Sequence, residues 1–191
     1  NQAVEFEPKG TDVIPNLYDA YQKAAQTYFE KTDEDLARAF ELSQIGEAKK
    51  PPSVRFSVLA QWVQMPSMEG KIKKEGLEEW AKYARVWIER FAPEELKFEI
   101  QKELPEGVKN LSSEQKETLK LIAGELDRVW DAEEFQTKIY DIGKGLGLNG
   151  KQTFEAIYLS LIGKDHGPKA AWLILSLDPS FVRQRFEEAA K

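Results

Sequence analysis

The chain has 191 residues with 41% hydrophobic and 31% charged side chains, a net charge of -6 and no cysteine. This composition belongs to a folded protein able to bury ~70% of the surface its unfolded chain exposes, and it argues against disorder. The missing cysteine rules out disulfides, thiolate metal sites and cysteine nucleophiles, and it fits a reducing cytoplasm. The longest apolar runs, such as AAWLILSL, fall well short of the ~20 residues a membrane helix needs, and NQAVEFEPKG has no signal-peptide pattern. Neither a membrane nor DNA is therefore an expected partner.

Charge is unevenly spread. Residues 1–137 hold 19 basic and 27 acidic side chains, net -8, whereas residues 138–191 hold 8 and 6, net +2. The asymmetry reads as a C-terminal part that meets an anion, or as chance together with a need for solubility.

In chain order, residues 15–31 open with Pro15 and put Leu17, Tyr18, Tyr21, Ala24, Ala25 and Tyr28 on one helical face. Thr32 with Asp35 reads as a capping box for a second helix, whose end could also be a short strand. The stretch KKPPSV breaks the chain, and Pro66 ends the apolar segment VRFSVLAQWVQM. In GKIKKEG a basic run reads as a solvated helix start or as a contact to the inner side of a tRNA. Next, Leu77, Trp80, Tyr83, Ala84, Trp87, Ile88 and Phe91 form an apolar stripe.

Ser112 with Gln115 caps a helix predicted to run to Trp130, and Asp131 with Glu134 caps the following one. Glycines 143, 145, 147 and 150 read as C-terminal caps and turns. Three more helices are predicted, over KQTFEAIYLSLIG, from Pro168 and from Pro179. The fold class is mainly α, with strands at most flanking the first 60 residues.

No catalytic constellation stands out. The glycines of GKGLGLNG follow no predicted strand, one histidine and no cysteine make a zinc site improbable, and the acidic pairs sit at helix starts where the dipole favours them. No catalytic, cofactor-binding or metal-ligating residue is assigned.

The last 50 residues carry a more specific signal. Gly147, Leu148 and Lys151, then Phe154, Leu161, Gly163, Gly167 and Pro168, and finally Arg183, occur in order within GLNGKQTFEAIYLSLIGKDHGP and SFVRQRFEEA. This pattern resembles the C-terminal signature of class I aminoacyl-tRNA synthetases with a helical-cage anticodon-binding domain, the glutamyl enzymes and the class I lysyl-tRNA synthetases of archaeal type. Upstream, NLYDAYQKAAQTYFEK, DLARAFELSQ and RFSVLAQWVQ look like the lysyl segment that follows the catalytic core. The HIGH and KMSKS signatures of the Rossmann domain do not occur here.

The resemblance implies a stem-contact-fold-like segment over 1–66 and an α-helix cage over 67–191. It implies the C-terminal tRNA-binding part of a lysine–tRNA ligase, cytoplasmic, with tRNA-Lys as partner. ATP and Mg would be bound in the parent enzyme and no cofactor in this chain, which alone would be inactive. Two rivals stay open: a glutamyl-tRNA synthetase C-terminal domain, and a helical protein-interaction module with no RNA role.

Site residues follow from the same resemblance together with the chemistry of RNA recognition. Lys164 and Lys169 would hold phosphate, and His166 would stack or hydrogen-bond, or be an ordinary loop residue. The glutamyl pattern places contacts to the last anticodon bases at Gly167, Pro168, Lys169 and Ala170. An anticodon-reading arginine of the preceding helix falls on Tyr158, where tyrosine would stack instead of pairing, in keeping with uracil in place of cytosine at the third anticodon position. Lys151, Arg183 and Arg185 complete the set, with the two arginines following a phosphate backbone or merely solvating a terminal helix. Trp172 reads as core because its neighbours are apolar.

Overall fold

The computed structural model describes residues 13–48 and 50–191. Among them there are ten α-helices, two short 3-10 helices and no strand. The chain forms two compact units, one of residues up to Gln64 with Met68–Lys97, the other of Met65–Ser67 with Phe98–Lys191. These units follow packing, whereas the spans 1–66 and 67–191 divide the chain by role and belong to the proposed function.

In the first unit, α1 (Val13–Glu30) turns through Lys31, at φ 53°, into α2 (Glu34–Ser43). Asp33, not Thr32, is the cap: its carboxylate accepts from the Leu36 N–H at 2.9 Å. The chain leaves α2 through an extended Gln44 and forms no strand there. Phe40 lies between Tyr21 and Tyr28 of α1, with ring centroids at 5.4 and 5.6 Å.

α3 (Phe56–Trp62) has no cap of its own, so α1 supplies one: Asp19 Oδ1 accepts from the Phe56 N–H at 3.0 Å. α4 (Glu69–Lys74) is the GKIKKEG run, and Gly76 at φ 67° turns the chain into α5 (Glu78–Arg90). The buried line of α5 is Leu77, Ala81, Ala84 and Trp87, while Tyr83 is exposed. Ala81 and Ala84 face the core beside Trp87, and their small side chains let α3 approach closely.

The second unit is built around one helix. α8 (Gly150–Ile162) packs against α6 (Ser113–Gly124), α7 (Ala132–Gly145), α9 (Ala170–Leu175), α10 (Pro179–Ala189) and the 3-10 turn at Glu106–Asn110. It is correspondingly apolar on several sides, with Ala156, Ile157 and Leu161 at 0% exposure. The Ser112–Gln115 capping box starts α6, Asp131 caps α7 through the Glu133 and Glu134 N–H groups, and Pro179 opens α10 behind the Asp178 cap. A second capping box, Asn149 with Gln152, starts α8.

Three expectations change. α6 stops at Gly124, so residues 125–131 form a corner instead of the continuation to Trp130. Gly143 is neither cap nor turn but a buried position inside α7, where a Cβ would stand 2.0 Å from Thr153 Oγ1. Gly147, at φ 83°, is the turn residue that releases the chain toward α8. Finally, α9 begins at Ala170, two residues after Pro168.

Candidate nucleic-acid interface

Gly163 ends α8 in the left-handed region, at φ 69°, and the loop 164–169 folds back along the helix it has just left. Two contacts fix that path. A Cβ on Gly167 would come within 2.8 Å of Ile162 Cδ1 and 2.9 Å of the Tyr158 ring, so only glycine lets the backbone lie this close. The Tyr158 hydroxyl donates to the Pro168 carbonyl oxygen at 2.5 Å.

Tyr158 is therefore not a base platform. It is 8% exposed, its ring lies beneath Gly167, and burial pushes its phenol up to about 12. The residue expected to stack on a base instead holds the loop in shape. Pro168 and Ala170 are buried with it. The Ala171 N–H, at the start of α9, donates to Gln136 Oε1 of α7 at 2.9 Å, so that amide is already paired and α9 is too short to offer an anion site.

What the loop presents outward is Asp165, His166, Gly167 and Lys169, with Lys164 half-buried. His166 Nδ1 lies 2.5 Å from Asp165 Oδ1. That hydrogen bond, helped by the nearby charge of Lys151, holds the Asp165 carboxyl below the usual carboxylate range. Lys169 lies over the Trp172 ring, 4.4 Å from its centroid, and its ammonium meets Glu133 Oε1 at 2.9 Å. Trp172 is half-buried and cation-covered, hence a boundary residue more than a core one.

The two arginines part company. Arg185 is 3% exposed and donates to the carbonyls of Ser160, Gln101 and Lys102 at 3.1, 2.9 and 2.9 Å. Ser160 is in the last turn of α8, where carbonyls lack a helical partner. This guanidinium caps α8 and straps residues 101 and 102 to it, leaving nothing to offer an RNA backbone. Arg183 is partly exposed and pairs with Asp127 at 2.6 Å across the α6–α7 corner. Lys151 is exposed in the first turn of α8.

The predicted residues thus fall into a group at the surface (Lys151, His166, Gly167 and Lys169 exposed, Lys164 and Arg183 partly so) and a buried group (Tyr158, Pro168, Ala170 and Arg185) that shapes the surface. Sequence reasoning missed Glu133 and Gln136, which position Lys169 and α9 from another helix. No local pattern marks residues 35 and 36 positions away as neighbours.

Residues 20–190 match the family model described as the anticodon binding domain. The chain belongs to this family of anticodon-binding domains. Among curated proteins it is similar to the lysine–tRNA ligase of Archaeoglobus fulgidus, 32% identical over 84% of this chain and 35% of that protein. The lysine–tRNA ligase of Thermoplasma acidophilum is 32% identical over 98% of the chain and 39% of its own length, and that of Methanosphaera stadtmanae 30% over 95% and 41%. The chain spans about two fifths of the length of these relatives.

Proposed function

We propose that this chain is the tRNA-binding region of a class I lysine–tRNA ligase, which attaches lysine to tRNA-Lys at the expense of ATP. The observation that carries this is the family match over 20–190 together with relatives named lysine–tRNA ligase over most of the chain. The reading divides the chain by role, with 67–191 as the anticodon-binding cage and 1–66 as a stem-contact segment. Within the latter an open cleft of about 750 Å³ is lined by Lys23, Lys50 and Arg55 together with Asp19 and Glu30, a mixed set with an excess of one cation.

On this reading ATP and Mg are bound by the remainder of the ligase. Gly143 is packed on Thr153, Gly147 is a turn and Gly150 begins α8, so GKGLGLNG is a helix corner with no phosphate-cradling loop. Among the described residues no cluster of three or more His, Asp or Glu side chains is placed to take a metal ion. Activation of lysine belongs to the remainder of the ligase. Among the described residues no helix is long and apolar enough to cross a membrane.

On this reading the chain binds and positions. Splayed bases of a single-stranded loop meet the exposed His166 and Gly167 backbone, and Lys164, Lys169, Lys151 and Arg183 supply cations for the sugar-phosphate chain. Tyr158 affects base choice only through the loop it holds. The test is binding to tRNA-Lys transcripts carrying U or C at the third anticodon position, at low and moderate salt. Preference for U that disappears when Lys164 and His166 are replaced supports the proposal; absence of binding to either transcript at low salt overturns it.

A further inference from the structure

The corner between α6 and α7, residues 125–131, lies between two of the surface cations just described. On one side Asp127 holds Arg183, and on the other Glu133, three residues after Trp130, holds Lys169. Three residues reach at most about 10 Å along the chain. The corner is therefore contiguous with the candidate surface.

Its architecture is unusual for a surface turn. The Trp130 ring stacks on Phe135, a fully buried residue of α7, with centroids 5.2 Å apart and planes at 26°. The indole N–H donates to the Glu125 carbonyl oxygen at 2.9 Å, the same oxygen that accepts the Arg128 N–H at 3.3 Å, which fixes the ring in its plane beside the backbone of Arg128. On Trp130 lies Arg128, an exposed residue whose guanidinium carbon is 4.2 Å from the ring centroid. The three carboxylates within three residues of Arg128 are all engaged elsewhere, Asp127 with Arg183, Glu125 with Lys138 and Asp131 with the Glu133 and Glu134 N–H groups.

A guanidinium held against an aromatic ring has already given up much of its rotamer freedom. It presents a planar cation on which one more planar group can stack, and edge N–H groups that match a base oxygen or a phosphate. We propose that Arg128, set on Trp130 and Phe135, is a stacking platform for one unpaired nucleotide, adjacent to those met by the loop 164–169. This rests on the tRNA reading. The surroundings favour a base over an acidic peptide, because Asp131 and Glu134 would repel a run of carboxylates, whereas a nucleotide can set its neutral ring on Arg128 with its phosphate turned away from them.

The measurement is fluorescence anisotropy with a labelled anticodon stem-loop RNA of tRNA-Lys, and with a blunt RNA duplex lacking unpaired bases, on the whole chain. Arg128→Ala should weaken stem-loop binding roughly 5- to 100-fold, the range one stacked base carries. Arg128→Lys, which keeps the charge but not the plane, should lose most of the same factor, and duplex binding should change by less than about 2-fold. Because the side chain is exposed, both variants should keep the parent's circular dichroism and urea midpoint. Stem-loop affinity kept by Arg128→Lys would overturn stacking in favour of plain charge. Unchanged affinity in both variants, with Lys164→Ala still weakening it, would overturn the platform and leave the tRNA reading intact. Failure of the unsubstituted chain to bind the stem-loop would overturn both.

Discussion

The Tyr158 hydroxyl donates to the carbonyl oxygen of Pro168, ten residues along the chain, and the Tyr158 ring fills the space beneath Gly167. Ring and hydroxyl have separate tasks. Tyr158→Phe keeps the packing and leaves a buried carbonyl unpaired, which costs about 1–3 kcal/mol. The unfolding free energy from urea titration should fall by that amount, and stem-loop affinity should fall further than the stability change alone accounts for, because the loop is no longer held.

The same side chain sets an alkaline limit. Burial raises its folded-state value from 10.0 to about 12, so the fold favours the neutral phenol. That contribution is complete below pH 10 and is lost as pH rises toward 12. Tyr18, also raised by burial, acts in the same direction. Urea midpoints measured between pH 9 and 12, on roughly half-unit steps, should decline, and Tyr158→Phe should decline less steeply.

Lys169 is held by Glu133 at the surface, with both side chains more than half exposed. Such a pair contributes only about 0.2–1 kcal/mol. Glu133→Gln should therefore leave the urea midpoint nearly unchanged while tightening RNA binding, since it frees a cation and removes a repelling charge. Lys164→Ala with Lys169→Ala should weaken binding and reduce the salt slope by about 0.7–0.9 for each phosphate no longer neutralised. A slope equal to the parent's would remove the two lysines from the phosphate-binding set.

Gly143 and Thr153 mark the closest approach of α7 to α8. Gly143→Ala forces a Cβ to within 2.0 Å of the threonine hydroxyl and 2.8 Å of its Cβ, so the two helices must move apart. Overpacking of this kind costs about 1–3 kcal/mol. Combining it with Thr153→Ala removes the hydroxyl and methyl but not the Cβ, and thermal denaturation should show partial recovery.

The two arginines of α10 should separate by stability. Arg185 is buried on three carbonyls, and desolvation lowers its affinity for the proton. Arg185→Ala leaves those carbonyls unpaired and should cost about 3–5 kcal/mol, while Arg183→Ala, which removes only a surface pair, should cost under about 1 kcal/mol. Equal shifts in urea midpoint would refute the division.

How much of this could be read from residues alone depended on whether the deciding partner was local. The Ser112–Gln115 box and the Asp131 cap lie within four residues of what they cap, Pro179 is itself the first residue of α10, and each stands where the pattern puts it. The stripe on α5 was legible as a stripe, but ring size drew Tyr83 into it, and the core took Ala81 instead. Gly143 looked like punctuation because its partner, Thr153, is on another helix. The site divides in the same way. The family pattern located the loop, but whether Arg183 or Arg185 faces outward depended on Asp127 and on the carbonyls of residues 101, 102 and 160, which no spacing reveals.

The Arg185 strap also bears on synthesis. It joins residue 185 to residues 101, 102 and 160, so the end of α8 and the segment before α6 lack their shared donor until the chain has been made past that point. Contacts of such wide sequence separation form late and slowly. On a ribosome, the earlier helices of this unit would emerge as a loosely closed intermediate, vulnerable to proteases, until the last turns of α10 clear the exit tunnel and lock it.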